Sequence, residues 1–201
     1  MPSLYLIRHG RTAWNRDWRI QGGLDVSLDD EGRRQAAALG TALAGVQFSA
    51  IFASPLQRAA ETAAAVAANH ALELRFDDRL RERNWGTYQG MRREDAALLY
   101  PEAEAALRQD PVHARPPEGE SFADLRERAE AALREIARSH AGAVAVVCHG
   151  GTIVAGIMAL LGLDSWPTVR FVIENASISL LDVAPDGRVV THYVNRRDHL
   201  A

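Results

Sequence analysis

The chain has 201 residues and a formal net charge of −3, is 47% hydrophobic and 24% charged, and all 23 of its basic side chains are arginine. This is the size of one globular domain with no basic surface for nucleic acid or membranes, and without lysine it has no P-loop, kinase-type site or Schiff-base amine. A lone cysteine, Cys148, excludes an internal disulfide and a multi-cysteine metal site.

In chain order, Leu4 to Ile7 reads as a buried strand leaving into Arg8-His9-Gly10. A Gly-rich polar loop runs to Asp29, the N-cap of a helix from about Asp30 to Ala44. Ala50 to Ala53 is a second strand. Ser54-Pro55-Leu56-Gln57 combines a capping box with proline at the first helical position, which predicts a helix to about Ala68. Leu72 to Phe76 is a third, shorter strand. Residues 77–120 are polar and irregular, with helical material around Asp95 to Arg108. That stretch is too long for a plain connection and reads as a lid or substrate wall. Ser121 to His140 is an amphipathic helix, Ala143 to Cys148 a strand ending in His149-Gly150, and Ile153 to Leu161 a buried helix. Ile178 to Val183 and Val189 to Val194 flank Pro185-Asp186-Gly187 as a hairpin. The N-terminus has no secretory pattern and no apolar run is long enough to span a bilayer, so the expected setting is cytoplasmic.

Strands alternating with helices predict an α/β fold. The expected form is a three-layer sandwich over residues 1–201, with a mostly parallel sheet, an antiparallel edge and helices on both faces. Ligands in such sheets bind beyond the carboxyl ends of the strands. Those ends carry His9 and His149, each followed by Gly, on one expected rim. Alone, either histidine reads as a packed or surface residue; as a matched pair they read as chemistry. A neutral imidazole accepts a phosphoryl group, and nearby arginines disfavour its protonation. Arg58 falls in the first turn of its helix, where a cation opposes the helix dipole unless an anion sits beside it. Arg8 beside His9 adds a second guanidinium fork suited to phosphate. Glu82, among arginines, reads blandly as a surface ion pair and functionally as a general acid, with a pKa raised by burial beside Trp85.

Leu6-Ile7-Arg8-His9-Gly10-Arg11-Thr12-Ala13-Trp14-Asn15 closely resembles the signature of the histidine phosphatase superfamily, the phosphoglycerate mutase-like proteins. Further blocks follow in the family's order at Gln21-Gly22, Ser54 to Ala59, Leu80-Arg81-Glu82, Gln89-Gly90, Gly119-Glu120-Ser121, Val147 to Gly151 and Asn175 to Ile178. The resemblance implies that His9 is the nucleophile and forms a phosphohistidine. Arg8, Arg58 and His149 would bind the phosphoryl group. Glu82 would be the acid for the leaving group, then the base for water. Asn15, Gln21, Gly22 and Gly150 resemble positions lining the phosphate pocket. The family needs no metal, and no compact ligand spacing is present here.

Four positions depart from the pattern. Arg11 replaces an acidic residue, Ser27 and Asp29 replace Pro and Thr, and Val154 stands where many members have Arg. Residues 83–120 are the expected leaving-group wall, with Trp85 and Arg93 as its candidate contacts. The expected activity is hydrolysis of small phosphorylated metabolites without a cofactor. A phosphoglycerate mutase needing 2,3-bisphosphoglycerate is the alternative, disfavoured by the short chain and by Gly151 in place of Asn. A cysteine phosphatase would need Arg six residues after Cys148, where Val154 stands. A non-catalytic phospho-ligand protein ranks last among these. The expected partner is a small phosphorylated substrate rather than nucleic acid or membrane, with homodimer assembly left open.

Overall fold

The computed structural model describes residues 1–163 and 171–201. Its strands are β1 (Ser3–Arg8), β2 (Phe48–Ala53), β3 (Leu74–Phe76), β4 (Ala143–Cys148), β5 (Ile178–Val183) and β6 (Val189–Arg196). They form one sheet in the order β3-β2-β4-β1-β5-β6. β3, β2, β4 and β1 are mutually parallel, and β5 and β6 supply the antiparallel edge.

Period-two alternation sends successive side chains of these strands to opposite faces. Leu4, Leu6, Val144 and Val146 pack with Leu133 and Ile136 of α6 (Phe122–Ser139) and with Ile153 and Ile157 of α7 (Gly150–Leu160). Ile7, Ala145 and Val147 face the other way, onto Leu39 and Leu43 of α2 (Asp30–Leu43) and Ala63 and Val66 of α3 (Gln57–Ala67). The result is the three-layer sandwich that the pattern predicts. The caps are local. The Asp29 side chain accepts from Gly32 N ahead of α2, and Ser121 forms a capping box with Asp124 ahead of α6.

Three expectations are corrected. α3 begins at Gln57 with Leu56 at its N-cap and no side-chain cap, two residues later than the capping box predicts; Ser54 Oγ accepts only from Leu56 N, at 3.3 Å, on the helix side. The helical material near Asp95 is two helices, α4 (Arg93–Leu99) and α5 (Pro101–Gln109), since Pro101 disfavours a helical conformation at Tyr100. The loop after β1 contains a one-turn helix, α1 (Ala13–Arg16), capped by Thr12. The wall segment has its own small core, in which Tyr88, Ala96 and Leu107 are buried against Ile20, Trp85 and Tyr100. Among the described residues, no helix is long and apolar enough to cross a membrane.

Candidate active site

Register builds the site. Arg8 lies beside Cys148 across β1–β4, and Ala53 beside Val147 across β2–β4. The residues that follow, His9, Ser54 and His149, therefore leave the sheet on one rim. The two imidazoles are buried, with ring centroids 5.1 Å apart at 60°.

Hydrogen bonds assign the tautomers. His9 Nδ1 is 2.7 Å from the Gly10 carbonyl, which only accepts, so Nδ1 carries the proton and Nε2 presents a lone pair. Arg58 Nε donates to His149 Nδ1 at 3.2 Å, so the His149 proton sits on Nε2 and is given to Ser54 Oγ at 2.8 Å. Burial first, then Arg58 and Arg8, hold the His9 pKa well below its ordinary value. Burial, Arg58 and His9 do the same to His149. Both rings are neutral near pH 7.

The cations are held by the backbone. Arg58 is fully buried and donates Nη1 to Leu24 O and Nη2 to Gly22 O, both at 2.8 Å; burial pulls its pKa down to about 10. Arg8 Nη1 donates to Ile173 O at 2.6 Å, while its buried Nε has no acceptor in the protein. Two desolvated guanidinium groups next to neutral histidines favour an anion. Glu82 is close enough to act electrostatically on both.

Asn15 shares a cavity with Arg8, and its Oδ1 accepts from Thr12 N at 3.1 Å and from Asn175 Nδ2 at 3.2 Å. Gln21 is turned to the Thr12 hydroxyl at 3.0 Å. Gly22 reaches the centre through its carbonyl bond to Arg58. These two support the site from behind rather than face its space.

Glu82 arrives from the wall side. Oε2 accepts from Gly151 N at 3.1 Å and Oε1 from Arg83 N at 2.8 Å. A Cβ on Gly151 would overlap Glu82 Oε1, so any larger residue makes this carboxylate shift. Trp85 lies under two guanidinium groups, Arg83 at 4.3 Å and Arg93 at 4.9 Å from its ring centroid. The expected partnership of Trp85 with Glu82 is thus replaced by cation–π stacking. Arg8, Glu82, Trp85, Arg93 and Gly150 line one cavity of about 580 Å³. Cys148 stands apart: burial pushes its thiol pKa up to about 12, so it supplies no thiolate.

Sequence reading passed over two groups. Arg128 of α6 donates to the carbonyls of Arg79, Arg81 and Glu82 at 2.6–3.0 Å and pairs with Glu120 at 2.6 Å. It therefore fixes the loop that presents Glu82. Ser54, read as a cap, also accepts from His149. The Ser-Pro dipeptide at a strand end was the one signal for it. Among the described residues, no group of three or more His, Cys, Asp or Glu could hold a metal ion.

The model of the histidine phosphatase superfamily (branch 1) matches residues 4–196. The chain belongs to this superfamily. It is 40% identical to phosphoglycerate mutase-like protein 4 of Arabidopsis thaliana over 75% of its own length and 67% of the relative. It is 39% identical to glucosyl-3-phosphoglycerate phosphatase of Mycolicibacterium vanbaalenii, over 83% of this chain and 78% of that one. The solved structure of a mycobacterial glucosyl-3-phosphoglycerate phosphatase complexed with VO3 superposes with a TM-score of 0.88 at 33% identity, covering 97% of this chain and 99% of that one. The relatives thus include proteins named as phosphatases and as mutase-like.

Proposed function

We propose that this histidine phosphatase is a metal-independent phosphomonoesterase that hydrolyses small phosphorylated metabolites through a phosphohistidine at His9. The observation that carries the reading is the His9 tautomer. With Nδ1–H committed to the Gly10 carbonyl, Nε2 is left as the free nucleophilic nitrogen of a ring that stays neutral near pH 7.

The reaction has two halves. His9 Nε2 attacks phosphorus, the ester P–O bond breaks, and Glu82 gives its proton to the departing alcohol oxygen. Glu82 then takes a proton from water as the water oxygen attacks phosphorus. The N–P bond breaks, inorganic phosphate leaves, and Glu82 is protonated again. Arg8 and Arg58 neutralise the phosphoryl oxygens, and the buried Arg8 Nε finds an acceptor there. His149 contributes to the same charge set by fixing Arg58 Nε. Asn15 and Gly150 complete the phosphate side, Gln21 and Gly22 brace it, and Trp85 and Arg93 face the leaving group.

A ³²P-labelled phosphomonoester should leave an acid-labile label on the protein that is absent in His9→Ala. Label persisting in that variant would refute the nucleophile. Excess EDTA should leave turnover unchanged; loss of turnover would refute metal independence. The name of the Arabidopsis relative favours a second reading, a mutase primed by 2,3-bisphosphoglycerate. With 3-phosphoglycerate and a trace of that primer, the expected product is inorganic phosphate. Conversion to 2-phosphoglycerate without phosphate release would favour the mutase.

A further inference from the structure

The cavity of about 580 Å³ has two ends of different chemistry. Arg8, Glu82, Gly150 and Gly151 form the end beside His9. Leu107, Pro111, Phe122, Leu125, Val154 and Ile173 form apolar walls beyond it. The walls are rigid: Leu107, Phe122, Leu125 and Ile173 are buried and belong to packed clusters. Val154 lies four residues after Gly150 on α7, so it sits on the same helix face one turn further on.

The cations of this cavity do not make it a polar site. Arg83 gives Nε to Glu120 O at 2.8 Å and Nη2 to Ala114 O at 3.4 Å, and its plane lies on Trp85. Arg93 also stacks on Trp85 and pairs with the buried Glu104 at 3.5 Å. Arg83 is thus tied back to the protein, and Arg93 stands half-exposed at the rim with its charge partly compensated by Glu104. Beyond the phosphate end the lining is mostly apolar, and a cavity of this size accepts a whole organic group.

We infer that this cavity is a leaving-group subsite for the apolar organic part of an aryl or medium-chain alkyl phosphate, with Val154 as a specificity-determining residue. The inference rests on the phosphatase reading above, because its inner end is the proposed phosphate site. A phosphate seated between Arg8 and Arg58 directs the ester oxygen past Glu82. The carbon skeleton then lies along α7 against Val154, Phe122 and Leu125. Each methylene moved from water onto such walls strengthens binding by up to roughly fourfold.

The test is kcat/KM along methyl, ethyl, butyl and hexyl phosphate, with 1-naphthyl phosphate and 3-phosphoglycerate alongside. The expected result is a rise of roughly two- to fourfold per methylene, with hexyl and naphthyl phosphate well above 3-phosphoglycerate. A flat series, or 3-phosphoglycerate tenfold above hexyl phosphate, would overturn the inference. Val154→Arg should collapse the hexyl-to-methyl ratio at least tenfold. Val154→Thr, nearly isosteric, should lower that ratio in the same direction and guards against a folding defect in the first variant. Unchanged ratios in both would overturn the part given to Val154. No phosphate release from any ester would instead overturn the phosphatase reading itself.

Discussion

His9 and His149 leave equivalent strand ends, yet each holds its proton on a different nitrogen. A carbonyl faces one ring and a guanidinium N–H faces the other, and these partners dictate the difference. Both pKa values are depressed in the folded chain, so the neutral rings contribute stability that is complete above about 6.5 and is lost as pH falls toward the lowered folded values. The melting temperature should therefore drop as pH goes from 7.5 to 5, and His9→Gln should flatten that dependence. An unchanged slope would count against it. Gly151 belongs to the same scale. Gly151→Ala should push Glu82 off its N–H and cut kcat on alkyl phosphates by about 10- to 100-fold, toward the loss expected for a missing general acid. In a single turnover of 4-nitrophenyl phosphate, whose leaving group needs no proton, nitrophenolate release should slow by less than about threefold; an equal slowing of this first half-reaction on both ester types would mean mere structural damage. The departures at positions 11 and 29 explain one another. Arg11 Nε pairs with Asp29 at 2.8 Å while Asp29 still caps α2. The histidines and Arg58 were legible from their places at strand and helix ends. The tautomers were not, because they depend on Gly10 and Arg58 standing at bonding distance in space.

At the scale of elements, the Glu82 loop is clamped from both helices on that face. Arg128 of α6 holds three of its carbonyls, and Thr152 of α7 gives its hydroxyl to Arg81 O at 2.8 Å. Arg128→Ala removes the guanidinium donor these carbonyls share and the ion-pair partner of Glu120, leaving Thr152 on Arg81 O and Asn84 N on Glu120. It should cost about 2–4 kcal/mol in denaturant unfolding, in the range for breaking a partly buried charged network. It should also lower kcat more than it raises KM. A variant with wild-type stability and kcat would show that the clamp is idle. Arg128 was illegible because a charged residue on an amphipathic helix reads as its solvated face. Pro101, by contrast, was visible and splits α4 from α5 as its chemistry requires. Ser54 misled for a physical reason: its hydroxyl accepts from Leu56 N ahead of the helix and from the His149 imidazole, and only the rim geometry shows the second partner.

For the molecule as a whole, the sandwich was readable because strand alternation and helix periodicity agree across nearly all of the chain. Each central strand sends residues into both cores, so the two helical layers are not energetically equivalent to the edge. Ile157→Ala, in the α6–α7 layer, should cost about 2–5 kcal/mol. Val190→Thr, half-exposed on β6, should stay within about 0.5 kcal/mol. Matched chemical denaturation of the two variants checks the contrast, and comparable losses would contradict this layering.

The placement of β1 has a consequence for synthesis. It is the earliest strand of this sheet in the chain, yet its two neighbours in the sheet are residues 143–148 and 178–183. A nascent chain stalled before residue 143 already contains His9, Arg58, Glu82 and the β2–β3 pairing, but not β4, the strand that joins β1 to them. Closure of such distant segments is slow relative to local helix formation. Competence for chemistry is therefore a late event in the life of the polypeptide, acquired when β4 threads between β1 and β2. Until then Leu4, Leu6 and Ile7 of β1 lack the neighbours that bury them in the folded sheet.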